Sequence, residues 1–215
     1  MKIAIVGAGN VGGTLGRGWA TKGHEILFGV RHPNDPKFAG LLDSVEGRAK
    51  VLPLAEACSD AVVVVLASPW PTVPDVLHKA GDLSDKILID CNNPLNPDLK
   101  SLSIGTTTSA GEMIARWASG AKVVKCFNTI GAARMADPII NGIPITMPYC
   151  GDDDDAKSVV HTLAAELGFD PIDVGKLSMS RVLEPVALLW ITLAIHGGWG
   201  TDFAVQLLRR SPARS

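Results

Sequence analysis

Gly7, Gly9 and Gly12 stand at a G-x-G-x-x-G spacing directly after the apolar run Lys2–Val6. That spacing alone is weak. Placed after a buried-type strand, at the opening of a helix and within a unit of about 30 residues, it reads as the phosphate-binding crossover of a dinucleotide fold. Each glycine has its own reason. Gly7 permits a tight turn, Gly9 leaves the backbone open to a diphosphate, and Gly12 lets the helix lie close on the strand. The unpaired N–H groups at the helix start, at the positive end of its dipole, favour a phosphate there. Gly13, Gly16 and Gly18 continue into the helix, each costing about 1 kcal/mol against Ala. Close packing is the expected reason.

The next strand decides which dinucleotide. NAD-binding folds place Asp or Glu at its end, to accept from the ribose 2′-OH. Here the strand closes Gly29-Val30-Arg31-His32-Pro33, and Asp35 comes later, in the loop. An Arg at this point suits a 2′-phosphate through a two-pronged, charge-assisted contact. His32 adds a donor, and Lys37 is a looser candidate. The reading is NADP(H) rather than NAD(H).

The elements that must carry these residues follow from the hydrophobic pattern. Ala61–Ala67 is a continuous, mostly β-branched run, as a central parallel strand buried on both faces requires. Lys86–Cys91, Ala121–Phe127, Ile145–Cys150 and Phe169–Val174 read as further strands, and Ala49–Leu52 as a short one. Helices begin at Pro53, after Pro71 and at Ser109, where Ser109 and Glu112 form a capping box. The run Asp152–Asp155 reads as first-turn carboxylates offsetting a helix dipole, not as a cation site. Strands alternating with helices specify a doubly wound parallel α/β sheet over residues 1–175. Its ligand crevice would lie at the strand ends Gly7–Gly12, Val30–Arg31, Ser68–Trp70, Asn92–Asn93 and Asn128–Ala132.

From about Gly175 the β pattern stops. Residues 176–215 read as a helical segment with a buried helix over Val186–Ile195 and a last helix over Thr201–Arg210, serving as acceptor pocket, dimer interface or both. Arg181 and Glu184 lie one helical turn apart and read as a pair. The run Val186–Ile195 falls short of the roughly 18–20 residues that cross a bilayer. No membrane association is expected.

The chain has 215 residues, 47% of them hydrophobic, and a net charge of −2. The charge argues against nucleic acid as a partner. Cys58, Cys91, Cys126 and Cys150 form no C-x-x-C pair and read as reduced thiols. Their scatter, and that of the His residues, argues against a metal site. Met-Lys alone precedes the first strand, so a cytoplasmic protein without a leader is the expectation.

Taken in order, Gly7-x-Gly-Asn-Val-Gly12, Gly23-His-Glu25 through Gly29-Val-Arg31, Ser68-Pro-Trp70, Lys125-Cys-Phe-Asn-Thr-Ile130, Gly151-Asp-Asp-Asp and Arg181-Val-Leu-Glu184 resemble the NADPH-dependent oxidoreductases of the coenzyme F420 (8-hydroxy-5-deazaflavin) type. The resemblance covers nearly the whole chain. It implies NADP(H) contacts at Ala8, Gly9, Asn10 and Val11 around the phosphates, and at Val30 and Arg31 around the 2′-phosphate. It also implies contacts at Ser68, Thr72, Asn93 and Ala132 along the nicotinamide half. Family members often carry a further basic residue shortly after the Arg; here His32 or Lys37 stands in.

The activity implied is hydride transfer between NADP(H) and a flat small-molecule acceptor, coenzyme F420 first; a homodimer is expected separately, with residues 176–215 in its interface. Such chemistry needs stacked rings at near-attack distance and no dedicated acid. The chain has one Tyr, Tyr149, and no Tyr-x-x-x-Lys pattern. Trp70, Met179, Trp190 and Trp199 either line an acceptor pocket or pack the core or a subunit contact. The alternatives are an NADPH-dependent reductase of a flavin, ferric complex, imine or keto acid, and a non-catalytic NADP(H) sensor. An imine or carbonyl reductase needs a proton donor, for which His196 is the candidate.

Overall fold

A computed structural model of the chain describes residues 1–43, 45 and 47–208. Strand and helix alternate from the start: β1 (Lys2–Val6), α1 (Asn10–Thr21), β2 (Glu25–Val30), α2 (Ala39–Asp43), β3 (Ala49–Pro53), α3 (Leu54–Asp60), β4 (Val63–Leu66), α4 (Val73–Ala80) and β5 (Ile87–Asp90). Then come α5 (Ala110–Trp117), β6 (Lys122–Lys125), α6 (Ala132–Ala136), the hairpin β7 (Ile139–Ile140) and β8 (Ile143–Pro144), β9 (Thr146–Gly151), α7 (Asp154–Glu166), β10 (Asp170–Asp173) and α8 (Ser180–Ile191). A π-helical turn, Thr192–His196, prolongs α8.

Local sequence accounts for many of these boundaries. All four residues of β4 are buried, as its unbroken apolar run requires. Gly81, at φ 81°, ends α4. Ser109 Oγ accepts the Glu112 N–H at the start of α5. Asp153 caps α7 by accepting the Ala156 N–H at 2.8 Å, with Asp154 and Asp155 in the first turn.

The sheet order is β10-β9-β6-β5-β4-β1-β2-β3. The stretch β3-β2-β1-β4-β5-β6 is parallel throughout and has the doubly wound order, reversing between β1 and β4. Alternate residues of β1 feed two cores. Ile3 and Ile5 pack with Leu15, Trp19 and Phe28 on one face, and Ala4 and Val6 with Leu27, Val64 and Leu88 on the other.

Three expectations change. The sheet is mostly rather than wholly parallel, because β9 runs antiparallel to β6 and β10 runs parallel to β9. A parallel return needs a long crossover, usually a full helix. Here the chain makes only the five-residue α6 and a hairpin turned by Asn141 (φ 51°) and Gly142 (φ 77°).

The segment Val186–Ile195 is buried on one side only: Ala187 and Trp190 face inward, whereas Leu189 and Ile195 are 52% and 55% exposed. The helical run is also longer than its apolar core. Leu177–His196 is continuous over 20 residues with a mean hydropathy of 1.4, enough by length and composition to cross a membrane. Its inner face, including Glu184, is packed on the domain.

Finally, residues 201–208 form no helix; Arg209 and Arg210 lie outside the described residues. Tertiary contacts override local preference there. Phe203 stacks on Trp190 with ring centroids 5.3 Å apart and accepts the Trp190 Nε1–H at 3.0 Å. Gln206 Oε1 accepts the Thr146 N–H at 2.9 Å.

Candidate cofactor-binding site

The site forms where the strand order reverses. Gly7 leaves β1 with φ +100°, and a Cβ there would stand 2.6 Å from the Ala67 carbonyl oxygen at the end of β4. Only Gly tolerates both the conformation and that approach. A methyl on Gly12 would overlap the Gly7 carbonyl oxygen and meet Ile5. This is the close packing of α1 on β1. Gly16 is bound similarly by the Phe28 ring, 2.6 Å from its Cβ position, and Gly18 by Leu167. Gly9 is different: nothing lies within 4 Å of its Cβ position. It is the N-cap of α1, with no side-chain cap, so the first N–H groups of the helix face open space.

Two cavities flank this turn and share Gly7, Ser68 and Pro69. The first, about 370 Å³, lies between the end of β2 and α4 and is bordered by Val30, Arg31, His32, Lys37, Thr72 and Lys79. It gathers four basic side chains. Lys79 is an addition that the sequence reading missed. Its carboxylate neighbours are Asp75, 3.7 Å from Arg31 and 2.9 Å from Lys79, and Asp35, 2.8 Å from Lys37. Lys79 and Arg31 together hold the Asp75 carboxyl below its usual range, with the Lys79 hydrogen bond as the larger cause.

The second cavity, about 660 Å³, runs past Gly9, Asn10 and Val11 to Trp70, Cys91 and Asn93, with Leu95, Asn96 and Leu99 on its far wall. Trp70 is backed by Trp117, stacked at 5.6 Å. Among the described lining residues Cys91 is the one titratable side chain, and burial pushes its thiol up, so it stays protonated near neutrality. Ser68 Oγ, on the rim common to both cavities, is buried with no hydrogen-bond partner. Such a hydroxyl is expected to meet a ligand group.

The remaining candidates fall as follows. Ala8, Gly12 and Ala132 line neither cavity; Ala132 opens α6, which packs on α1. Thr72 stands in the first cavity, with its hydroxyl donating to the Pro69 carbonyl at 2.8 Å. Asn93 Nδ2 donates to the Asn128 carbonyl at 2.9 Å, and Asn128 Nδ2 donates to Asn93 Oδ1 at 3.0 Å. The turn carrying Asn128 depends on buried Phe127 at φ 60°, an uncommon conformation for a bulky residue. Trp190 packs on Phe203, Trp199 and His196 are exposed, and Tyr149 meets His161 at 3.1 Å; none of them lines either cavity. Met179 borders a separate apolar cavity of about 180 Å³ beneath Val205 and Leu207.

Arg181 and Glu184 do not pair with each other. Arg181 reaches across to Glu112, with Nε donating to Oε2 at 2.8 Å. Glu184 points inward, to Lys125 at 3.0 Å. Helical spacing made the two neighbours, but α5 and β6 offer each a better partner. No local pattern announced Lys125 as a buried cation: β6 carries a lysine at each end, Lys122 and Lys125, and of the two only Lys125 is buried.

The strand order, the glycine turn and the paired cavities define a Rossmann-type dinucleotide-binding domain. The family model for coenzyme F420-dependent NADP oxidoreductases matches residues 2–94. A solved structure from Arthrobacter sp. FB24, provisionally assigned as an F420-dependent NADP reductase, has a TM-score of 0.88 and 33% identity, over 97% of this chain and 100% of that one. The F420-dependent NADP reductase of Methanocaldococcus jannaschii is 29% identical over 211 residues, 91% of this chain and 93% of the relative. Metalloreductase STEAP3 of Rattus norvegicus is 30% identical over 188 residues, 87% of this chain, and the match spans 36% of that longer protein. The chain belongs to the F420-dependent family of NADP oxidoreductases.

Proposed function

We propose that this chain transfers a hydride between NADP(H) and a flat conjugated acceptor, with coenzyme F420 as the first candidate. The observation that carries this reading is the pair of cavities meeting at the glycine turn, one basic and one nearly without charge. The residues present fit the cofactor. Arg31, with His32, Lys37 and Lys79, would hold the 2′-phosphate. The open N–H groups after Gly9 would hold the diphosphate, and Ser68 Oγ would gain a partner. Trp70, Cys91 and Asn93 would border the nicotinamide half. When bound, the nicotinamide supplies the hydride from its C4.

The lining of the second cavity favours a flat redox acceptor over an imine or keto acid. Carbonyl and imine reduction need a proton donor beside the nicotinamide. Burial raises the Cys91 thiol and makes it a reluctant proton donor, and His196 stands on the exposed end of the α8 helical run, lining neither cavity. The walls can shed water and position rings, which is what direct transfer requires. The open face of α8, with Val182, Leu189 and Ile195 each at least half exposed, is proposed to pair with a second copy of the chain.

The test mixes NADPH with F420, free flavin and a ferric chelate in parallel and follows NADPH oxidation. Turnover with F420 supports the proposal. Turnover confined to flavin or iron moves the assignment to a flavin or metal reductase. No oxidation with any acceptor leaves a nucleotide-binding protein without this activity.

A further inference from the structure

Three ionisable side chains are buried where β5, β6 and α8 meet. Lys125 Nζ lies 2.7 Å from Asp90 Oδ2 and 3.0 Å from Glu184 Oε1, and all three side chains are at most 1% exposed. Nζ also donates to the Asn92 carbonyl at 2.7 Å. Burying charges is unfavourable unless each is matched, and removing one partner strands the others. Here the matching is closed by backbone. Asp90 Oδ1 accepts the Asn92 N–H at 2.8 Å and its side-chain amide at 3.0 Å. Glu184 accepts the N–H groups of Ala110 and Gly111, at the start of α5, at 3.1 and 3.2 Å.

The cluster therefore fixes two things relative to each other: the turn Asn92–Asn93, which lines the second cavity, and the Leu183–Glu184 turn of α8. A second tie runs between the same two places, because Asn128 Nδ2 donates to Asn93 Oδ1 and, at 3.2 Å, to the Leu183 carbonyl. The first cavity, around Arg31 and Lys79, touches none of these groups.

We propose that Lys125 and Glu184 are positioning residues that latch α8 to the Asn92–Asn93 turn and so set the shape of the second cavity alone. The proposal rests on reading the two cavities as the two halves of an NADP(H) site. Its test compares two probes on the full chain by calorimetry: adenosine 2′,5′-bisphosphate, which would fill the first cavity and end at the glycine turn, short of Asn92–Asn93, and NADPH, which would extend past that turn. Nicotinamide fluorescence of bound NADPH is recorded alongside. Glu184→Gln should bind the bisphosphate within about twofold of wild type. It should bind NADPH about tenfold more weakly, equivalent to about 1.4 kcal/mol, and lose the fluorescence change. Equal weakening of both probes, or of neither, overturns the latch. Wild-type protein that binds neither probe overturns the cavity reading beneath it. If Glu184→Gln does not fold, Asn128→Ala cuts the second tie without stranding a charge. The same split between probes is expected of it, and the same equality refutes the proposal.

Discussion

Replacing Arg31 with Ala should separate the two nicotinamide dinucleotides. The Arg31 side chain is 62% exposed, and its nearest carboxylate oxygen, on Asp75, is 3.7 Å away, beyond hydrogen-bond reach. Asp75 is held more tightly by Lys79, at 2.9 Å. The guanidinium is thus free to take a 2′-phosphate. A hydrogen bond to a charged group contributes about 1.5–3 kcal/mol. Solvent competes at so exposed a position, which places the loss near the lower end, about 1.5–2 kcal/mol. The dissociation constant for NADPH should then rise about 10- to 30-fold. That for NADH, which has no 2′-phosphate, should stay within about twofold. Calorimetric titration of both nucleotides into wild type and variant measures this directly. The NADPH effect should also shrink as salt rises, because the contact faces water. Equal weakening of NADH and NADPH would show that Arg31 supports the loop and does not read the phosphate. No weakening of either would remove it from the site.

Four further variants have expected outcomes. Gly9→Ala should melt within a few degrees of wild type yet bind NADPH more weakly, since its Cβ meets nothing in the protein but enters the open space over the α1 N-terminus. Gly12→Ala, which collides with backbone, should lose about 1–3 kcal/mol of stability; equal melting temperatures for the two variants would contradict these roles. The Arg181 hydrogen bond is the chief reason that the Glu112 carboxyl is held below its ordinary range. Its stabilisation is therefore present above about pH 4.5 and lost as pH falls through the lower folded value. Arg181→Ala should leave stability at neutral pH little changed, because the pair faces solvent, and flatten the acid limb of the stability curve; an unchanged limb refutes the pairing. In sedimentation the chain should be a dimer that Leu189→Asp dissociates, and a monomeric wild type rejects the second-copy proposal for α8.

The sequence was most legible where backbone geometry restricts residue type. Gly7, Gly9 and Gly12 face, respectively, a neighbouring strand end, open space and the helix–strand contact, so spacing alone conveyed three different environments. β4 and β5 were readable because strands covered on both faces tolerate little but apolar residues. The reversal at β9 was less visible, although Asn141-Gly142, a strong two-residue hairpin signal, marks the turn that produces it. Lys125 and Glu184 were illegible as partners. They are far apart in sequence, and their pairing depends on how α8 crosses the sheet. Residues 201–208 misled for a related reason: Phe203 and Gln206 are held by Trp190 and Thr146, contacts that outweigh a helical pattern of this length.

If one NADP(H) spans both cavities across the glycine turn, a crystal structure of the chain with NADPH will show it. The 2′-phosphate should lie beside Arg31 and Lys79, the diphosphate over Gly9–Val11 and the nicotinamide between Trp70 and Asn93. A nucleotide bound in the reverse sense, or one that leaves either cavity empty, would contradict it.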